Sequence, residues 1–123
     1  MGQVRCLGTY ALMEIYLGNE KFRNYENCDF VLNDLILTEF YGVLFREYGE
    51  KEAEFWFRKL EGYSKGVDKG LMKKAISFKQ KYNKREISFF DAVGYIFSKE
   101  NGYLFVTGDK EFEDFESVEF VKK

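Results

Sequence analysis

The 123-residue chain contains no histidine, no proline, one tryptophan and two cysteines. Without histidine, Ser-His-Asp and Cys-His nucleophilic catalysis, histidine general bases and His-ligated zinc are all excluded, so any catalysis must rest on carboxylates. Without proline, no cis-proline turn shapes a site and no loop is pinned by a fixed φ. Cys6 and Cys28 stand in apolar surroundings without CxxC spacing. They read as buried thiols of a reducing compartment, so a cytoplasmic location is expected. No apolar run approaches the length of a membrane span, and Met1-Gly2-Gln3-Val4-Arg5-Cys6 lacks the hydroxyl residue of a myristoylation signal. No membrane partner is expected. Nineteen Lys and Arg face 21 Asp and Glu, a formal charge of −2, which excludes a generally basic nucleic-acid coat and leaves only local patches.

What the chain does have is apolar and aromatic bulk, 46% hydrophobic and 20% aromatic. That suffices for one domain over residues 1–123 with a core that needs no disulfide or metal staple. Val4 to Leu7 reads as a strand, followed by Gly8-Thr9-Tyr10 and a helix carrying Leu12, Ile15 and Tyr16. Phe30-Val31-Leu32 predicts a second strand. Leu37, Phe40, Tyr41, Leu44, Phe45 and Tyr48 then recur at helical spacing up to Gly49, and Ala53, Trp56, Phe57 and Leu60 continue the period in a further helix. Gly62, Gly66 and Gly70 mark a connector with room for a short strand, after which Leu71 to Tyr82 predicts another helix. Ser88, three residues ahead of Asp91, opens a helix that Asn101-Gly102 stops. Tyr103 to Val106 is the clearest strand, and Val118 to Val121 predicts a last edge strand. Strands alternating with helices need crossover connections, hence an α/β fold: a mainly parallel sheet in a three-layer α/β/α sandwich.

Charge is unevenly placed. Lys65 to Arg85 holds eight bases and one acid, Asp68, whereas Asp109 to Glu119 holds six acids and one base, Lys110. The basic stretch is either a solvated helix face or a phosphate-binding surface. In an open parallel sheet, ligands bind beyond the carboxyl ends of the strands. The acids that fall there are Glu39, Asp91 and Asp109. Each has a structural reading too, Asp91 as a helix-capping acid, Asp109 as a turn residue and Glu39 as a surface residue. Glu39, however, lies among apolar Leu37, Phe40 and Tyr41. Carboxylates packed together repel and protonate unless a cation compensates them, and oxygen-only ligands match magnesium or manganese.

Together the segments Leu7-Gly8-Thr9, Thr38-Glu39-Phe40, Ser88-Phe89-Phe90-Asp91-Ala92 and Leu104-Phe105-Val106-Thr107-Gly108-Asp109-Lys110-Glu111-Phe112 resemble the PIN domain, specifically the VapC-type ribonuclease toxins, over essentially the whole chain. The resemblance implies a five-stranded parallel sheet and a Mg2+- or Mn2+-dependent endoribonuclease that leaves a 5′-phosphate and a 3′-hydroxyl. It also implies a cognate VapB-like antitoxin. It places the second, third and fourth metal-binding, catalytic acids on Glu39, Asp91 and Asp109, with Thr9, Thr38, Ser88 and Thr107 as their polar neighbours. The first acid has no counterpart, because Gly8 stands at the position of the expected Asp. Loss of that oxygen ligand predicts weak metal binding and impaired cleavage.

An RNA substrate is expected to run along Lys65 to Arg85, with Tyr63 and Tyr82 available to stack on bases and Phe78 better suited to the core. The aromatic excess between Leu12 and Phe57 predicts a homodimer and a groove for the antitoxin. The alternative, from a different class, is a catalytically silent module that binds RNA or an antitoxin. A phosphoryl-receiver domain would need a phosphorylatable Asp at the third strand and a Lys after the last, and the sequence offers neither.

Overall fold

The computed structural model describes residues 2–122. Five short runs become the strands β1 (Arg5–Leu7), β2 (Phe30–Asn33), β3 (Ser64–Lys65), β4 (Leu104–Thr107) and β5 (Val118–Phe120), all parallel, in the order β3-β2-β1-β4-β5. The α-helices are α1 (Thr9–Tyr16), α2 (Asp34–Tyr48), α3 (Glu50–Leu60), α4 (Lys69–Lys81) and α5 (Phe89–Asn101). β1 is central, with Cys6 opposite Val31 on one side and Phe105 on the other. Cys6, Leu32, Phe105 and Val106 have no exposed surface, as expected for a sheet whose two faces are both covered. Burial pushes the Cys6 thiol up to about 12, so it packs as an inert apolar group.

The helices start and stop where local chemistry dictates. Asn33 caps α2, its Oδ1 accepting from the Leu35 and Ile36 N–H groups at 2.9 Å. Asp68 caps α4 through the Leu71 N–H, and Ser88 caps α5 through the Asp91 N–H. Gly49 at φ +95° separates α2 from α3, and Gly102 at φ +73° ends α5, conformations that suit glycine. The middle strand is only two residues long, aligned by Leu32 opposite Ser64 and Asn33 opposite Lys65.

Short 3₁₀ segments lie outside the sequence reading, Glu61–Tyr63, Lys110–Phe112 and the longest, Glu20–Asn27. The longest is mostly polar, so no apolar period announces it, yet it buries Phe22 completely. It also delivers the Tyr25 hydroxyl to the Glu119 carboxylate of β5, which in turn pairs with Arg5 of β1 at 3.1 Å.

Aromatic rings fill the other side of the sheet. Tyr95 of α5 stands 5.2 Å from Phe78, 5.7 Å from Phe112 and 5.4 Å from Phe115 between ring centres. Tyr82 packs 4.9 Å from Phe115. Phe78 is therefore a packing residue, and the partly buried Tyr82 packs beside it. Tyr63 is half exposed but stacks on Phe30 at 4.4 Å. Not all the aromatics enter the core: Phe45, Tyr48 and Phe55, with Leu17, remain about half exposed across α1, α2 and α3. Among the described residues no helix is long and apolar enough to cross a membrane.

Asn33 is fully buried, and its Nδ2 has no partner among the described residues. Its contribution is the double cap of α2. Asn33→Ala is expected to lower stability by about 1–2 kcal/mol in urea unfolding, the cost of a lost cap, and an unchanged midpoint would show that the cap is replaceable.

Candidate active site at the carboxyl ends of the central strands

The chain leaves β1 for β2 and β3 on one side and returns to β4 and β5 on the other, so strand order reverses between β1 and β4. In an open α/β sheet that reversal opens a crevice beyond the strand ends. The two ends are tied by the Gly8 N–H, which donates to the Val106 carbonyl at 3.1 Å. Beyond β1 come Gly8 and the start of α1, and beyond β4 come Thr107, Gly108 and Asp109.

Three carboxylates reach this crevice. Glu39, in the second turn of α2, accepts a hydrogen bond from the Thr9 hydroxyl at 2.5 Å, which places it beside the end of β1. Asp91 sits in the first turn of α5, its N–H donating to Ser88 Oγ at 3.1 Å. Asp109 Oδ1 accepts from the Glu111 N–H at 3.0 Å, while its own N–H donates to Thr107 Oγ1 at 3.2 Å.

The Asp91 carboxyl is raised from 3.8 to about 6, first by burial, then by the charges of Glu39 and Asp109, with Ser88 pulling the other way. Each of the other two acids acts electrostatically on Asp91. The structure thus brings all three sequence-predicted acids into one neighbourhood, and the structural readings coexist with this. Asp109 does shape a turn, and Asp91 does sit in a capped first turn.

Of the predicted polar neighbours, Thr9, Ser88 and Thr107 each bond to one of the acidic residues, side chain or backbone. Thr38 does not; its hydroxyl donates at 2.6 Å to the Asp34 carbonyl one turn earlier in α2. That is the usual local alternative for a mid-helix threonine. Gly8, where the resemblance places a first acid, contributes no side-chain donor.

The charged donors are carboxylate oxygens, with Glu39 and Asp109 both disfavouring the Asp91 anion, and oxygen donors of this kind suit a hard divalent cation. They do not form a ready-made cage. Among the described residues no three His, Cys, Asp or Glu side chains are grouped closely enough to hold an ion.

No model of a known protein family matches the sequence, and no curated protein does. Solved structures do match. A toxin–antitoxin complex from Klebsiella pneumoniae aligns with a TM-score of 0.76 and 11% identity, over 97% of this chain and 99% of that one. VapC20 from Mycobacterium tuberculosis, a sarcin-ricin loop cleaving toxin, aligns with a TM-score of 0.75 and 18% identity, over 98% of both chains. DNA-bound VapBC from Salmonella typhimurium gives 0.71 and 15%, over 99% and 98%. The chain has the PIN fold. At these identities the likeness is one of fold, and it extends over nearly the whole length. The PIN sheet is entirely parallel here, as the strand–helix alternation predicts.

Asp91 carries a pH signature. Its folded pKa lies above the unfolded value, so its stabilising contribution is complete below about pH 4 and is lost as pH rises through about 6. Asp91→Asn should remove this dependence and leave the protein more stable at pH 7 by roughly 1–3 kcal/mol. Urea unfolding of both proteins between pH 4 and 7 checks it; parallel stability profiles would place Asp91 away from the other acids.

Proposed function

We propose that the chain is a VapC-like endoribonuclease that hydrolyses RNA phosphodiester bonds with magnesium or manganese, at an activity reduced by Gly8. The observation that supports this most is the convergence of Glu39, Asp91 and Asp109 at the β1/β4 crevice of a PIN fold, expressed in the raised Asp91 carboxyl. Glu39, Asp91 and Asp109 would hold the ion, which when bound supplies an acidified water and neutralises charge on the phosphoryl oxygens.

The chain's own residues prepare that site. Thr9 fixes the Glu39 carboxylate, and the capped N-terminus of α5 presents Asp91 where exposed N–H groups favour its anion. Thr107 holds the turn that aims Asp109. Asp91 would have to lose its proton to act as a ligand, so ion binding would strengthen as pH rises.

The RNA backbone would approach over α4. Of the eight bases between Lys65 and Arg85, Lys74 is paired with Glu100 and Arg85 with Asp114. The others have no ion pair among the described residues. A cleft lined by Lys79, Gln80, Asn83, Arg85 and Glu86 runs from α4 to Ser88, the N-cap of α5. A VapB-like antitoxin segment is proposed to cover the half-exposed Leu17, Tyr48 and Phe55 face, beside an apolar cavity of about 500 Å³ lined by Tyr16, Trp56 and Leu60. A homodimer would bury part of the same aromatic excess.

The second reading, a silent module that binds RNA or an antitoxin without cutting, is favoured by one observation: Gly8 withholds a donor from a site whose remaining acids form no cage. Two measurements separate the readings. With manganese at pH 7.5, single-stranded RNA should be cleaved slowly, and Asp91→Asn should reduce the rate by at least about 100-fold, as loss of a ligand does when loss of its supports alone costs 10–100-fold. RNA binding with no cleavage, and no heat of manganese binding in calorimetry, would establish the silent module.

A further inference from the structure

Gly8 has no backbone reason to be glycine. Its φ of −72° and ψ of 169° are open to any residue, and it is the N-cap of α1, with no side-chain cap bond. That is a position where Asp or Ser is favoured. What it meets is a ring. A Cβ built on Gly8 would lie 2.9 Å from Phe105 Cζ, closer than real Cβ contacts come, with Phe105 Cε1 at 3.0 Å and the Val106 carbonyl oxygen at 3.3 Å.

The same ring explains a second glycine. Gly94 sits inside α5, where glycine is unfavourable relative to alanine by about 1 kcal/mol, and its Cβ would lie 2.8 Å from Phe105 Cε1. Phe105 cannot easily turn away. It is fully buried, with Phe112 5.5 Å and Tyr95 6.4 Å from its ring centre and Ile36 against the Gly94 position. Two elements, the end of β1 and the middle of α5, have thus given up side chains around one ring of β4.

We infer that Phe105 sets the number of donors in the site: its ring fills the side-chain space at position 8 and holds the crevice to three carboxylates, so Gly8 is a built feature of this core. The inference rests on the carboxylate reading of the site and adds the residue that limits it. It also alters the expectation for Gly8→Asp, which on this geometry meets the ring before it meets an ion. Phe105→Leu removes Cε1 and Cζ, the atoms in the way.

The test is a pair of double-mutant cycles on the full chain, read by melting temperature and by manganese titration calorimetry. Gly8→Ala adds only the Cβ, and should lower the melting temperature by roughly 5–15 °C, the range for overpacking a core of this size. In the Phe105→Leu background the same change should cost much less, with the Val106 carbonyl oxygen at 3.3 Å the tight contact that remains, and this non-additivity is the signature of the ring contact. Gly8→Asp with Phe105→Leu should bind manganese about tenfold more tightly than the unaltered chain, as added ligand charge raises affinity.

Additive effects of Gly8→Ala and Phe105→Leu would overturn the steric pairing. So would a Gly8→Asp single variant that keeps the parent's melting temperature and binds manganese as tightly as the double variant. A coupled stability cycle with no gain in manganese affinity would overturn the donor-count claim and the cation reading of the site, while leaving the packing of Phe105 intact.

Discussion

One buried carboxyl, Asp91, that also feels the charges of Glu39 and Asp109 is the constraint around which this end of the molecule is arranged. The rise of the Asp91 carboxyl from 3.8 to about 6 corresponds to roughly 3 kcal/mol of disfavoured ionisation, with burial the largest single cause, Glu39 and Asp109 adding to it and Ser88 opposing it. Each acid is held by its own local bond: Glu39 by Thr9, Asp91 by Ser88 and the start of α5, Asp109 by the Glu111 N–H. Those bonds fix each acid locally. They also hold the carboxylates in separate settings, consistent with three acids that sense one another yet form no cage.

The sheet that gathers these acids is made of very short strands, β1 with three residues and β3 with two. Such strands bind few partners through the ladder alone, so register depends on what covers them. On one face the ring of Phe105 lies under Gly94 of α5 and beside Ile36 of α2. At the margins Arg5, Glu119 and Tyr25 tie β1 to β5 and to the 3₁₀ segment. The Arg5 and Glu119 side chains are each 28% exposed, so this tie contributes modestly to stability but fixes which residues face each other across β4. The carboxyl end of β1, where Gly8 and Thr9 emerge, is thereby placed by contacts made at its opposite end.

Much of this was legible in the sequence, because the relevant signals are local. Ser88 three residues before Asp91, the Asn101-Gly102 stop and the run from Leu104 to Val106 each specify their element through chemistry within one turn. The three acids were legible through topology: strand ends in a parallel sheet converge, so residues far apart along the chain could be placed together. What escaped depends on contacts with no local signal. The 3₁₀ segment is polar apart from Phe22 and Tyr25, and only its packing reveals it. Thr38 stands next to Glu39 in sequence but turns to the Asp34 carbonyl, because a helix sends neighbouring side chains in different directions. Phe105 looked like any strand residue; its reach to two glycines on two other elements is a property of three dimensions.

A site of this kind sets stability against ion affinity. A fourth carboxylate at position 8 would strengthen a divalent site, but without an ion it would add a further like charge beside Asp91, whose ionisation is already disfavoured. Glycine there spares the ion-free protein that repulsion and leaves the central ring in place, and what it gives up is a ligand. On the cation reading proposed for the site, the same residue would lower the cost of folding and the affinity for a cation together, through two separable effects, charge and volume. Functional sites commonly trade stability for reactivity in this way. In this chain the balance at position 8 lies on the side of stability, and Asp91, still strained by its neighbours, marks how much of the opposing demand remains.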